Sequence, residues 1–172
     1  MIDLLILYLL NGIPTTMYGI SKKIKLGFSA YTKPSFGTIK PALKRLENSE
    51  YIISRKEMSS GGKLTAYYAL TEKGLRYLKK LIMKDVSDNP VNFFSNARVK
   101  IICSSMLATD EQAELYTMLK KRAEVIKSQT EKMLDEKNSS LTFFQRITFD
   151  NTNLEYKNFI TMLEGLLNGC KG

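Results

Sequence analysis

Two short runs rich in β-branched and aromatic residues, Tyr51–Glu57 (YIISRKE) and Leu64–Leu70 (LTAYYAL), interrupt a chain that otherwise repeats at helical spacing. Between them, Met58–Lys63 holds Ser59, Ser60, Gly61 and Gly62, so the runs read as the strands of one hairpin around a Gly-rich tip.

Three helical patterns precede it. Ile2–Leu10 is almost continuously apolar, carries Asp3 at the positive end of its dipole, and is closed by Asn11-Gly12 and Pro14. Thr15 or Thr16 can cap a second helix with Met17, Ile20 and Ile24 on one face and Ser21, Lys22, Lys23 and Lys25 elsewhere. Gly27–Pro34 is a loop. The third pattern, Pro34–Glu47 (PSFGTIKPALKRLE), places Phe36, Ile39, Leu43 and Leu46 on an apolar stripe that needs a core, with Ser35 as its N-cap. Thr38, Lys40, Lys44 and Arg45 fall off that stripe, and Pro41 should kink or loosen the first turns. After the hairpin, Thr71 caps Glu72–Lys84, with Leu75, Leu78 and Ile82 or Leu81 inward. Helix, helix, helix, hairpin, helix is the order of a winged helix-turn-helix. In that fold the third helix enters the major groove and the wing lies against flanking backbone or minor groove. Taken alone, Pro34–Glu47 would be an ordinary amphipathic helix with a solvated basic face; its context makes it a reading helix.

Charge supports that context. Residues 1–86 hold 15 Lys+Arg against 6 Asp+Glu, a net +9, whereas residues 87–172 hold 11 of each. A basic surface kept for solubility would not predict a neutral second half; a polyanion-binding domain joined to a neutral one does. The chain has no histidine, which removes Ser-His and Cys-His catalysis and His-ligated metals. Cys103 and Cys170 form no metal-ligand spacing, and Gly61-Gly62 lacks any nucleotide-binding pattern. No enzyme, metal or cofactor is expected. The apolar run Leu4–Leu10 is too short to span a bilayer and lacks the flanks of a signal peptide, so a reducing, cytoplasmic setting is expected, with no membrane partner.

Asp85–Asn92, a polar stretch with Pro90, divides the chain into an expected winged helix domain, 1–86, and a helical domain, 91–172. The second reads as three helices. Phe93–Leu107 carries Val99, Ile102, Met106 and Leu107. Thr109 and Gln112 form a capping box for a long helix to Lys137, and Leu141–Asn168 follows the break at Asn138–Ser140. In the long helix Leu115, Leu119, Arg122, Ile126, Gln129 and Met133 make an imperfect heptad seam. Either a second copy or a neighbouring helix of the same chain can cover it. The aromatics Phe93, Phe94, Phe143, Phe144, Phe149, Tyr156 and Phe159 could line a pocket for a small-molecule effector; core or interface packing explains them as well.

GTIKPALKRLE (Gly37–Glu47), then a strand, then GGKLTAYYALTEKG (Gly61–Gly74), resembles the PadR-type transcriptional regulators, as does Tyr18-Gly19-Ile20 at the second helix. The family pattern is Gly-Thr-Ile/Leu-Tyr-x-Ala-Leu-x-x-Leu-Glu, with a wing ending in Tyr-Tyr-x-Leu-Thr-x-x-Gly. The resemblance covers residues 2–84. Lys40 stands where the family has tyrosine, and Glu50 where it has a helix-ending glycine, so a left-handed cap there would be strained.

The resemblance implies a homodimer held by the C-terminal helices. Leu115, Leu119, Ile126, Met133, Ile160, Leu163 and Leu167 are the candidate dimerisation residues. The expected partner is double-stranded DNA, a pseudo-palindromic operator, with the protein acting as a repressor. Thr38, Lys40 and Lys44 are assigned to the groove or its walls, Tyr18, Lys22 and Ser35 to phosphates, and Lys63 with Arg55 or Lys56 to the wing, with Arg45 a further DNA-binding candidate. The alternative is a winged-helix docking module for another protein, which would leave the basic half unexplained.

Overall fold

The computed structural model describes residues 1–58, 62–86, 89–136 and 140–170. Ser59, Ser60 and Gly61 of the hairpin tip, Ser87 and Asp88 of the polar stretch, Lys137, and Asn138 and Ser139 of the expected break lie outside the described residues. The elements are α1 (Ile2–Leu9), β1 (Thr15–Thr16), α2 (Met17–Gly27), α3 (Phe36–Asn48), β2 (Ile52–Met58), β3 (Leu64–Leu70), α4 (Glu72–Met83), α5 (Pro90–Cys103), α6 (Thr109–Glu136) and α7 (Phe143–Gly169), with a 3-10 turn at Ser104–Met106. The fold is mostly helical with one small antiparallel sheet.

Two compact units result: Met1–Lys84 with Phe94–Met106, and Asp85–Phe93 with Leu107–Gly172. In the first, α1 is the central helix. Leu4, Leu5, Ile6 and Leu7 are all buried, which an almost wholly apolar helix achieves only when neighbours surround it. Ile20 and Ile24 of α2, Ile39, Leu43 and Leu46 of α3, and Leu78 and Ile82 of α4 complete the core.

The sheet has the order β1-β3-β2. β2 and β3 pair from Ile52↔Leu70 to Met58↔Leu64, as the hairpin reading requires. β1 was not foreseen; Thr15 and Thr16 pair with Tyr68 and Tyr67, and two residues are too few to show a period. Thr16 then caps α2 by accepting from the Gly19 amide at 3.0 Å, and Thr71 caps α4 identically from Gly74 at 2.9 Å.

Glu50 takes the left-handed conformation, φ 59°, that its family position calls for. Around it the Tyr51 amide donates to Leu46 (3.0 Å) and the Glu50 amide to Glu47 (2.9 Å), the bond pair that closes a helix through a left-handed residue. Lys73 holds the Glu50 carboxylate at 2.8 Å, keeping it below its ordinary titration range.

Lys100 of α5 is 4% exposed, and its ammonium donates to the carbonyls of Leu81 and Ile82, each at 2.7 Å, and to that of Lys84. These lie at the C-terminal end of α4, where carbonyls lack helical partners and the dipole favours a cation. Cys103 is fully buried, and burial pushes its thiol pKa up to about 12, so it is a small apolar core residue.

In the second unit α6 packs along α7. Leu115, Leu119, Ala123 and Ile126 face Tyr156, Phe159 and Leu163 in a buried seam, and Phe93 sets its ring 5.8 Å from Tyr156 and 5.6 Å from Phe159. The start of α6 differs from expectation. Ala108, not Thr109, precedes the helix, and the Glu111 carboxylate accepts from the Ala108 amide at 2.8 Å, while the Gln112 amide group donates to Leu107. The full capping box belongs to α7, between Thr142 and Gln145.

Candidate nucleic-acid interface

α3 buries Ile39, Ala42, Leu43 and Leu46 and leaves everything opposite them in solvent. It runs unbroken through Pro41, the sixth of its 13 residues. Lys40 and Lys44 are exposed and form no ion pair among the described residues. Arg45 differs: its guanidinium forks onto Asp3 of α1, with Nε 3.4 Å from Oδ2 and Nη2 on Oδ1, which ties α3 to the central helix and raises the Arg45 pKa further.

Ser35 occupies the cap position without capping. The Thr38 and Ile39 amides both donate to the Ser35 carbonyl at 3.0 Å, so the amide its hydroxyl would serve is already taken. The hydroxyl instead lies 3.2 Å from that of Thr38, giving two exposed hydroxyls at the head of α3.

Phe36 departs furthest from the sequence reading. Its period puts it in the core with Ile39, but it is 47% exposed, as the whole first turn, Ser35 to Thr38, is exposed.

α2 contributes Tyr18, 71% exposed, and Lys22, also exposed. Arg55 and Lys56 on β2 and Lys63 before β3 are exposed along the wing, beyond which Met58 and Leu64 form an exposed apolar cross-strand pair. Sequence reasoning passed over Lys25 and Lys33. Both are exposed and line a cavity of ≈ 530 Å³ with Ser21, Ile24, Ser29 and Thr32, and two unpaired lysines on a helix and its following loop were a signal available in the sequence.

The second unit uses the expected dimerisation residues differently. Leu115, Leu119, Ile126 and Leu163 are covered by their own chain, the intramolecular way of closing a heptad seam, and Ile160 and Leu167 are half-buried. Met133 is exposed. Outward-facing apolar side chains lie elsewhere on α7: Phe143, Phe144, Ile147 and Leu154 are 51–78% exposed.

The aromatics proposed to line an effector pocket separate likewise. Phe93, Tyr156 and Phe159 fill space against one another, Phe94 stacks under Arg98, and Phe143 and Phe144 face solvent. One cavity of this unit, ≈ 580 Å³, is lined instead by Ala113, Glu114, Thr117, Met118, Lys121, Val125 and the Arg122–Asp85 ion pair (2.6 Å). No helix among the described residues is long and apolar enough to cross a membrane.

Three helices on a common core, a three-stranded sheet with an extended hairpin, and a closing fourth helix define a winged helix-turn-helix unit. The model of the Transcriptional regulator PadR-like family matches residues 6–80, which is that unit from α1 to α4. A PadR family transcription regulator from Clostridium difficile is 33% identical over 46% of this chain and 80% of its own, with a TM-score of 0.41. A PadR-like transcription factor from Bacteroides fragilis is 32% identical over 46% and 74%, with a TM-score of 0.40. Bacillus subtilis PadR, solved in complex with operator DNA, is 20% identical over 98% of both chains, with a TM-score of 0.48. Comparison with curated proteins returned no match. The chain belongs to the PadR-like family of transcriptional regulators.

Proposed function

We propose that the protein is a homodimeric, cytoplasmic repressor that binds a pseudo-palindromic DNA operator. In this reading residues 1–86 contact DNA and residues 91–172 associate. The observation that carries it is the solvent face of α3, where Lys40 and Lys44 stand unpaired opposite a buried Ile39-Leu43-Leu46 stripe. Cations held ready on a helix anchored by its other face suit the phosphates and guanine edges of a major groove. Tyr18 at the head of α2 and Lys22 in its middle, the Ser35 and Thr38 hydroxyls, and Arg55, Lys56 and Lys63 on the wing would meet flanking backbone. Family membership supports the same reading, since the Bacillus subtilis PadR was solved on operator DNA. Two copies would set two α3 helices roughly one helical turn apart. A small organic effector belongs to this reading, supported by a cavity of the second unit where Lys121 and Arg122 neighbour Met118 and Val125.

The test is a gel shift and footprint with DNA upstream of the protein's own coding region. Selective retention that weakens as salt rises supports the proposal, and Lys44→Ala should lower both the affinity and the salt slope. Absence of selective retention at physiological ionic strength points to the protein-docking alternative.

A further inference from the structure

We propose that Phe36 reads thymine, by packing its ring against the 5-methyl group of a thymine in the major groove. The inference rests on the DNA-binding reading above and adds a base preference to it.

Phe36 is the first residue of α3, and 47% of it is exposed although it is the helix's one aromatic side chain. A ring half exposed at the head of this helix is free to pack against an apolar group of a bound partner. Its surroundings narrow what that group can be. Gly37 follows, and a Cβ there would meet only the Ser35 hydroxyl at 3.5 Å, so the head of the helix is sterically open. Ser35 and Thr38 beside it carry hydroxyls, and Lys40, one turn further on, carries a cation. The ring is thus an apolar spot within a polar, cationic surface. A buried protein interface would set such a spot among other apolar groups, whereas a major groove offers just one apolar group among its hydrogen-bonding edges, the thymine methyl. The terminal residues of a recognition helix are also those that reach base edges.

The test begins with a preferred duplex selected from a random pool by the full-length protein. Each thymine of a half-site is then replaced singly by deoxyuridine, which removes only the methyl, and affinities are measured by fluorescence anisotropy at fixed salt. For the wild type, one replacement per half-site should weaken binding about fourfold, the value of one buried methyl group. Phe36→Ala should bind the thymine duplex more weakly and be indifferent to that replacement. Phe36→Leu, which keeps an apolar side chain, should retain part of the sensitivity. Thermal melts of both variants confirm folding, and if Phe36→Ala fails to fold, the wild type and Phe36→Leu decide. Wild-type indifference to every replacement overturns the proposal while leaving DNA binding intact, as does undiminished methyl sensitivity in Phe36→Ala. Failure to select any duplex removes the DNA-binding reading and this inference with it.

Discussion

The Cβ that any other residue would carry at position 74 falls 1.9 Å from the carbonyl oxygen of Tyr51, closer than two bonded heavy atoms' neighbours ever approach. That carbonyl also accepts from the Thr71 amide at 3.1 Å, and the Thr71 hydroxyl lies 3.0 Å from it and 2.8 Å from the Glu50 carbonyl. The start of α4 is therefore bonded directly to the turn that ends α3. Gly74→Ala must push the two apart, and a cost of about 3 kcal/mol is expected, because the opposing atom is backbone and cannot rotate away. Gly37→Ala is the control: with only the Ser35 hydroxyl in ordinary contact, 3.5 Å from its Cβ, it should stabilise by roughly 0.5–1 kcal/mol. Urea melts of the two variants should move in opposite directions.

The same turn holds Glu50 at φ 59°. Glycine adopts that conformation without strain, so Glu50→Gly should raise the melting midpoint by a few degrees at neutral pH despite losing the Lys73 contact, which lies in solvent. The pH dependence has a definite sign. Hydrogen bonding to Lys73 lowers the folded-state pKa of Glu50 below its ordinary 4.5, so the wild-type pair contributes above that value and is lost as pH falls through the folded pKa. The margin of the variant over the wild type should accordingly widen on acidification. A lower midpoint for Glu50→Gly at neutral pH that disappears on acidification would show that the ion pair outweighs the backbone strain.

How far this architecture was legible in the sequence depends on the length scale of each feature. The hairpin, the Ile39-Leu43-Leu46 part of the α3 stripe, the Thr71 cap and a cap of α2 by one of two threonines, Thr16, follow from local period and local hydrogen-bond chemistry, and all are present. Features decided by what a residue meets across space were not legible. Phe36 has the period of a core residue, but α3 outruns its core there. Arg45 has the look of a free cation, yet Asp3 is 42 residues away in sequence and adjacent in space. The α6 seam has a dimer's spacing, and α7 of the same chain fills it. Neither the ring of Phe36 nor the fork of Arg45 could be placed without knowing which helix lies beneath.

Lys100 is another such residue, since its sequence position says nothing of burial. Its ammonium supplies hydrogen bonds to three carbonyls at the end of α4 from a position 4% exposed. Lys100→Met keeps the apolar stem and removes the charge, but leaves those carbonyls short of donors. A loss of about 2–3 kcal/mol is expected, because buried acceptors without partners cost more than the net worth of the bonds they lose. Lys100→Arg should not restore stability, since a planar fork cannot replace a compact three-donor head. Denaturant melts of both variants check this; a Lys100→Met protein as stable as the wild type would mean the carbonyls find water.

The last prediction concerns the proposed homodimer. Because Leu115, Leu119, Ile126 and Leu163 are covered within one chain, truncating them should unfold the α6–α7 pair rather than dissociate a dimer, at about 2–5 kcal/mol each for Leu→Ala. Phe143, Ile147 and Leu154 are spaced by four and seven residues, which lines them along one face of α7, and all three are more than half exposed. A monomer gains nothing from that stripe, whereas a second copy would bury it. Leu154→Asp places a charge in the middle of the stripe without touching the intramolecular core. It should leave the thermal midpoint of the isolated chain near the wild-type value and shift the mass measured by light scattering from two chains towards one. It should also weaken retention of a two-half-site duplex far more than that of a single half-site, since only a dimer reads both halves at once. A Leu154→Asp protein that stays dimeric would move the interface off this face of α7.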